Sequence, residues 1–323
     1  MTSPAPAGPA APAQLPVYLL TGPTGTGKSD WAIRLAQAAP VEIVSVDSAL
    51  VYRSLDIGTA KPARELRARL PHHLIDICEP TESYSAGRFV TDAMAAIAEV
   101  HSRRRVPLLV GGTMLYLRAL LKGLAPLPQA SAQLRGEIDG RAARAGWPAL
   151  HDELARLDPD AAARINRNDS QRIQRALEVC IATGHRLSEL QRATVSPLGS
   201  IPLKAWALAP SSRPALHQRL ANRFHAMMAA GFLDEVRSLR GRGDLSARHS
   251  SMRAVGYRQL WAHLEGECGL AAAVEQGIAA TRQLAKRQLT WMRAETTPRW
   301  LDPDTDELSW NRDVRDELLR LAL

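Results

Sequence analysis

The 323 residues are 46% apolar and 23% charged, close to the globular average, which excludes a disordered, collagen-like or coiled-coil chain and leaves room for one large domain plus a smaller one. Lysine and arginine outnumber aspartate and glutamate 41 to 33, a net charge of +8 spread over both halves, which favours an anionic partner without a basic tail to hold it. There is no apolar run of about 18 residues, no signal-peptide pattern at the start, and no disulfide or zinc spacing among Cys78, Cys180 and Cys268, so a cytoplasmic protein free of the membrane is expected.

Residues 1–14 are nearly all Ala, Pro, Gly, Ser and Thr and read as a tail unable to bury surface. From 15 the apolar run LPVYLLTG ends at glycine, and KSDWAIRLAQAA follows with helical spacing at Trp31, Ile33 and Leu35, giving strand, loop, helix. A second apolar run, VEIVSVD, stops at Asp47; a helical segment covers about 86–104; a third run, VPLLVGG, spans 106–112. Strands alternating with helices predict parallel βαβ units with ligand loops at the strand C-termini.

Beyond about residue 124 the strand pattern ceases. Ala/Arg/Leu-rich segments at 131–145, 147–157, 159–164 and 169–183 have helical spacing with stops at Gly146 and Gly184. The expected organisation is a first core part at 15–123, a helical insertion domain at 124–190, and a second core part at 191–323. In that last part IPLKAWALAP reads as a returning strand, helices occupy about 213–240, 253–264 and 269–293, and PRWLDP is a short strand before an exposed acidic loop, DPDTDE.

The chemistry begins at Gly22-Pro23-Thr24-Gly25-Thr26-Gly27-Lys28-Ser29. This G-x-x-x-x-G-K-S loop follows a strand and opens a helix, the context in which it cradles phosphate oxygens with backbone N–H groups, a lysine and a hydroxyl that binds Mg²⁺. It predicts binding of a diphosphate or triphosphate, ATP-type nucleotides included. An ATPase is expected to carry a carboxylate at a second strand end to hold the metal and position water, whereas the third run ends Gly111-Gly112-Thr113. The carboxylate in a suitable place is Asp47, which reads equally as a turn cap or as a general base facing the loop.

The blocks GPTGTGKS, SVDSALVYRSLDIGTAKP, PHHLIDICEP, YSAGRF, VGGTMLYLRALLKGL, NDSQRIQRALEV, MRAVGYRQLW and TRQLAKRQLTWMR resemble, in content and order, the tRNA dimethylallyltransferase family. They run from about residue 17 to 300, and the absence of a C-terminal Cys/His zinc element makes the bacterial form the one resembled. The resemblance implies a P-loop NTPase-like parallel sheet with a helical insertion. It also implies transfer of a dimethylallyl group from dimethylallyl diphosphate to the exocyclic N6 amine of the adenosine beside the anticodon, in tRNAs reading codons that begin with U. Mg²⁺ is the implied cofactor, the tRNA anticodon arm the implied partner, and a monomer the expected state.

Carried over residue by residue, Thr24 to Ser29 would hold the donor diphosphate, with Ser29 on the metal, and Asp47, Ser48, Ala49 and Leu50 would meet the target nucleotide. Thr113 would sit beside the acceptor base, with a plain helix N-cap as its rival. Arg223 matches a diphosphate-clamping arginine, although Arg219 is one turn away. The implied tRNA contacts are Arg135; Gln171, Arg172, Ile173, Gln174 and Arg175; Arg253, Ala254, Val255, Gly256, Tyr257 and Arg258; and Lys286, Arg287, Gln288, Leu289, Thr290, Trp291, Met292 and Arg293. Arg282, Lys286 and Arg293 make a basic stripe on one helix, a pattern also met on solvated faces. Arg103-Arg104-Arg105 reads as a solvated helix end and the cysteines as small apolar residues, while His72-His73 lacks a third ligand for zinc and the resemblance of PHHLID implies a packing or substrate-loop role. The competing readings are a nucleotide or nucleoside kinase and an RNA-binding NTP switch, both disfavoured by the missing acid on the third strand.

Overall fold

The computed structural model describes residues 15–125, 127–128, 131–295 and 297–321; the expected tail at 1–14 lies outside them. Two compact units divide the chain, one formed by residues up to Arg118 together with those from Ser200, the other by Ala119–Gly199. The insertion expected at 124–190 falls within the second.

In the first unit the elements run β1 (Val17–Thr21), α1 (Lys28–Ala38), β2 (Val41–Val46), α2 (Arg64–Arg69), β3 (His72–His73), α3 (Ala86–Ser102), β4 (Val106–Gly111) and α4 (Met114–Lys122), the last crossing into the other unit. Six strands form one parallel sheet in the order β3-β2-β4-β1-β5-β6, with β5 at Leu203–Leu208 and β6 at Arg299–Leu301. Every residue of β1, β2 and β4 is buried, because a parallel sheet covered on both faces needs continuous apolar strands. On one face α1 packs through Trp31, Ala32, Leu35 and Ala36; on α3 the buried row is Phe89, Ala93, Ala96, Ile97 and Val100.

The second unit is helical: α5 (Ala132–Ala145), α6 (Trp147–Leu157), α7 (Pro159–Ala162), α8 (Ser170–Thr183) and α9 (Leu187–Leu190). Ile138, Leu150, Leu154, Ile173, Leu177 and Leu187 form its core. Asp158 is fully buried, yet satisfied by the amides of Ala161 at 3.0 Å and Ser188 at 2.8 Å.

After β5 come α10 (Arg213–Ala229), α11 (Phe232–Gly241), α12 (Tyr257–Leu264), α13 (Leu270–Glu295) and, after β6, α14 (Glu307–Leu321). The single helix expected at 213–240 is two, because Gly231 turns the chain at φ 96°. The helix expected from 253 starts at Tyr257, after a short 3₁₀ turn at Ser251–Arg253. The acidic loop leads into α14, whose Trp310, Val314 and Leu318 join the core beside α1, with the Trp310 and Trp31 ring centroids 5.3 Å apart. The arginine run is not a free helix end: Glu42 on β2, 2% exposed, takes Arg103 Nη2 at 2.6 Å and Nε at 3.0 Å, Arg105 Nε at 3.4 Å and His73 Nε2 at 2.8 Å. A carboxylate buried in a sheet needs such partners, and these residues supply them.

Candidate active site

All strands being parallel, the loops after β1, β2 and β4 emerge at the same end of the sheet. The loop after β1 can close tightly because Gly25 adopts φ 80°; a Cβ there would stand 2.5 Å from Leu220 Cδ2. Gly27, also left-handed, opens α1 with no side-chain cap, so the first amides of the helix point toward a ligand position. Lys28 is half-buried, and its ammonium rests on the Pro23 carbonyl at 2.7 Å. Burial lowers its pKa to about 7, with Arg223 adding repulsion and Asp47 countering it. Ser29 is exposed.

At the end of β2, Asp47 Oδ1 accepts the amides of Ala49 at 2.8 Å and Leu50 at 3.2 Å, so the aspartate does cap its turn, using one carboxylate oxygen. After β4, the Thr113 hydroxyl accepts the Ser48 amide at 3.0 Å and lies 3.4 Å from Ser48 Oγ; it reaches across to the β2 turn.

These loops and the inner faces of α10, α12 and α13 enclose a cavity of about 450 Å³. Asp47, Ser48, Ala49, Thr113, Thr24, Arg223 and Arg287 are among its lining residues. Arg223 is exposed and also lines the cavity; desolvation by the surrounding protein lowers its pKa, while Asp47 and Asp30 act in the opposite sense. The apolar lining includes Leu220, Phe224, Met227 and Leu284. Of the two arginines of α10, Arg223 lines the cavity and Arg219 binds Asp304 at 2.6 Å.

The remaining expected site residues divide by burial. Leu50 lines a separate small cavity. Arg253, Ala254, Val255 and Tyr257 line the main one, while Gly256 is buried at φ 92° and Arg258 is exposed. On α13, Lys286, Arg287, Thr290 and Arg293 are exposed and Leu289 and Trp291 half-buried, but Gln288 and Met292 are buried. Those two side chains, expected on RNA, face inward; Gln288 also lines the cavity, its Oε1 accepting the Thr24 amide at 2.9 Å and its Nε2 donating to the Gly112 carbonyl at 2.8 Å. The Thr24 amide, expected on phosphate, is therefore engaged by Gln288. In the helical unit Ile173 is a core residue, Gln171 and Arg172 are exposed, Gln174 donates to Asp139 at 2.6 Å, and Arg135 and Arg175 both bind Glu178.

The apolar lining and the inward turn of Gln288 are features of the cavity that motif reading missed. Leu220, Phe224 and Met227, spaced i, i+4, i+7 around Arg223, mark an apolar helix face with one cation on its edge, a signal the sequence does carry.

A family model described as IPP transferase matches residues 50–295, and one described as isopentenyl transferase matches residues 15–76. The tRNA dimethylallyltransferase of Alkalilimnicola ehrlichii is 57% identical over 91% of this chain and 92% of its own length. The chain belongs to the tRNA dimethylallyltransferase family. Among solved structures, the full-length tRNA isopentenylpyrophosphate transferase of Bacillus halodurans superposes with a TM-score of 0.68 at 34% identity, covering 95% of this chain and 98% of that one. A eukaryotic dimethylallyltransferase captured acting on tRNA gives a TM-score of 0.78 at 27% identity, covering 94% and 77%. As a member of the tRNA dimethylallyltransferase family the protein is a transferase, and its parallel sheet is the P-loop NTPase-like core of that family. Among the described residues no helix is long and apolar enough to cross a membrane.

Proposed function

We propose that this enzyme, in the cytoplasm and as a monomer, transfers a dimethylallyl group from dimethylallyl diphosphate to N6 of the adenosine 3′ to the anticodon, in tRNAs reading U-starting codons. The observation that supports this most is the composition of the cavity: the Asp47 carboxylate and the Thr113 hydroxyl on the β2 and β4 turns, Thr24 of the phosphate loop, Arg223 and Arg287, and apolar side chains all line one space. A donor with an anionic head and a five-carbon apolar tail, meeting an amine acceptor, needs those three surfaces together.

In the reaction the N6 lone pair forms a bond to the allylic carbon as the carbon–oxygen bond to diphosphate breaks. The amine becomes acidic only as it attacks, and Asp47 takes that proton while its Oδ1 keeps the turn bonds; general-base assistance is worth about 10²–10⁴ in rate. Negative charge grows on the leaving diphosphate. The uncapped N-terminus of α1, Lys28 and Arg223 stabilise it, each on the scale of an oxyanion-hole donor, about 3 kcal/mol. Lys28 must leave the Pro23 carbonyl to do so.

The residues present fit Mg²⁺ arriving with the donor. Among the described residues no group of three or more His, Cys, Asp or Glu could hold a metal, while the hydroxyl of Ser29, exposed on the first turn of α1, is a hard oxygen of the kind that completes a magnesium–diphosphate shell. When bound, the ion neutralises charge on the leaving group. The exposed Lys286, Arg287, Arg293, Arg253, Arg258, Arg172 and Gln171 are the side chains available to the anticodon arm.

The deciding assay offers tRNA with Mg²⁺ and either dimethylallyl diphosphate or ATP, and weighs the product. A C5H8 increment on the adenosine beside the anticodon is expected with the first and nothing with the second. A phosphoryl increment, or ATP hydrolysis without C5H8, overturns the proposal in favour of a kinase or an NTP switch.

A further inference from the structure

Helix α13 has two faces with different work. One inward row is Ala285, Gln288 and Met292, at helical spacing and all buried. Ala285 packs with Leu216 and Leu220 of α10. Gln288, 7% exposed, joins the Thr24 amide of the phosphate loop to the Gly112 carbonyl of the β4 turn. One turn on, Met292 Sδ lies 3.4 Å from the hydroxyl of Thr21, which donates to the Gly111 carbonyl at 2.8 Å. The outward row is Lys286, Thr290 and Arg293, all exposed.

The two turns joined by Gln288 hold opposite ends of the proposed reaction. Thr24 belongs to the loop that would grip the leaving group, and Gly112 immediately precedes Thr113 on the acceptor side. There is no slack between them: a Cβ at Gly112 would stand 2.6 Å from the Gly22 carbonyl oxygen and 2.8 Å from Gln288 Nε2. A primary amide is the side chain that can accept from an N–H and donate to a carbonyl at this length; glutamate lacks the donor and methionine lacks both strong functions.

We propose that Gln288 is a positioning residue of the transfer reaction, setting the distance between donor and acceptor loops and tying both to the helix whose outer row is Lys286, Thr290 and Arg293. The assignment rests on the prenyl-transfer reading above. It acts through Thr24 and Gly112, so its removal should leave both substrates bound but out of register, and a misplacement near 1 Å can cost about 10² in rate.

The test compares full-length wild type with Gln288→Met and Gln288→Glu, measuring C5H8 transfer to tRNA, tRNA affinity and Tm. For Gln288→Met, kcat is expected to fall about 10- to 100-fold, with the KM for tRNA and its Kd within about twofold and Tm within a few degrees. Gln288→Glu, which keeps the Thr24 bond but sets a carboxylate against the Gly112 carbonyl, is expected to lose at least about fivefold in kcat with tRNA affinity kept. If the methionine variant does not fold, the glutamate variant decides by its own threshold. The assignment is overturned if a folded variant keeps kcat within about twofold of wild type, or if the fall in activity merely follows a fall in Tm and in tRNA affinity. A wild type that yields no C5H8 product overturns the underlying reading, and this assignment with it.

Discussion

The amide of Ser48 donates to the hydroxyl of Thr113 at 3.0 Å, so the turn after β2, which carries Asp47, is tied to the turn after β4. Replacing Thr113 by valine keeps the shape and deletes the acceptor, freeing the Asp47 turn to shift. We expect kcat to fall about 10- to 100-fold, while Thr113→Ser, which keeps the hydroxyl, stays within about threefold. Equal loss in the serine and valine variants would show that the methyl group, not the bond, matters.

Asp47→Asn separates the two uses of that side chain. Asparagine can accept the Ala49 and Leu50 amides as aspartate does, so Tm and tRNA binding should be kept. The base is lost, and turnover should fall by about 10² or more. Wild-type turnover in this variant removes Asp47 from the mechanism.

Lys28 makes donor binding pH-dependent. Its pKa of about 7 in the free enzyme leaves it mostly neutral at pH 8, and a bound diphosphate favours the charged form, so binding at pH 8 should take up a proton. At pH 6 the ammonium is already charged and the uptake should shrink. Calorimetry in buffers of different ionisation enthalpy measures this directly. Lys28→Met should abolish the difference and weaken donor binding; the same proton uptake in the variant would assign it elsewhere.

Binding of tRNA should weaken with salt as protein cations that neutralise phosphates release counterions. Removing exposed Arg293 or Arg287 should flatten the log–log slope by about 0.7 to 0.9 for each phosphate left without its arginine. An unchanged slope in both would place α13 off the RNA.

The Glu42 cluster should govern acid stability. Burial pushes the Glu42 carboxyl up, but hydrogen bonds from Arg103 and His73 outweigh this and hold it below its ordinary value. A folded-state pKa below the unfolded one stabilises the protein above about pH 4.3, and that stabilisation is lost as pH falls through the folded value. Breaking a buried pair costs about 3–5 kcal/mol. With 41% of the Arg103 side chain exposed, Arg103→Ala should cost less than the loss of a fully buried partner; we expect it to destabilise the protein at pH 7, the gap to wild type closing in acid. Urea titrations at pH 7 and pH 3.5 check it; a gap that widens in acid would contradict the sign.

The strands that build the site were legible because each is a mainly apolar run covered on both faces, with Glu42 and Ser45 as the polar exceptions on β2, and the phosphate loop because glycine, lysine and serine at fixed spacing leave few other readings. Edge strand β3 was not legible: two histidines in PHHLID have no apolar run, yet they pair with Ile43 and Val44 of β2. Helix α14 was hidden by its polar length, since Trp310, Val314 and Leu318 give a thin apolar row among charges. Within the site, Asp47 and Arg223 could be singled out by type and context. The inward turn of Gln288 and Met292 could not, since whether a polar residue on a basic helix faces RNA or a loop is decided by packing from elsewhere in the chain.

The strand register has a consequence for how the chain becomes this enzyme. Strand β1 lies between β4 and β5, pairing residues 17–21 with 203–207 on one side. During synthesis the phosphate loop therefore emerges long before the strand that closes its flank, leaving an unpaired edge of β1 to wait. The helical segment 119–199, continuous in sequence and rich in short-range packing, can reach its structure during that wait, whereas the sheet must bear the loop-closure entropy of a distant partner and form late. Catalytic competence then arises as one of the final events of folding, because the residues that line the cavity from α10, α12 and α13 all follow β5 in the chain.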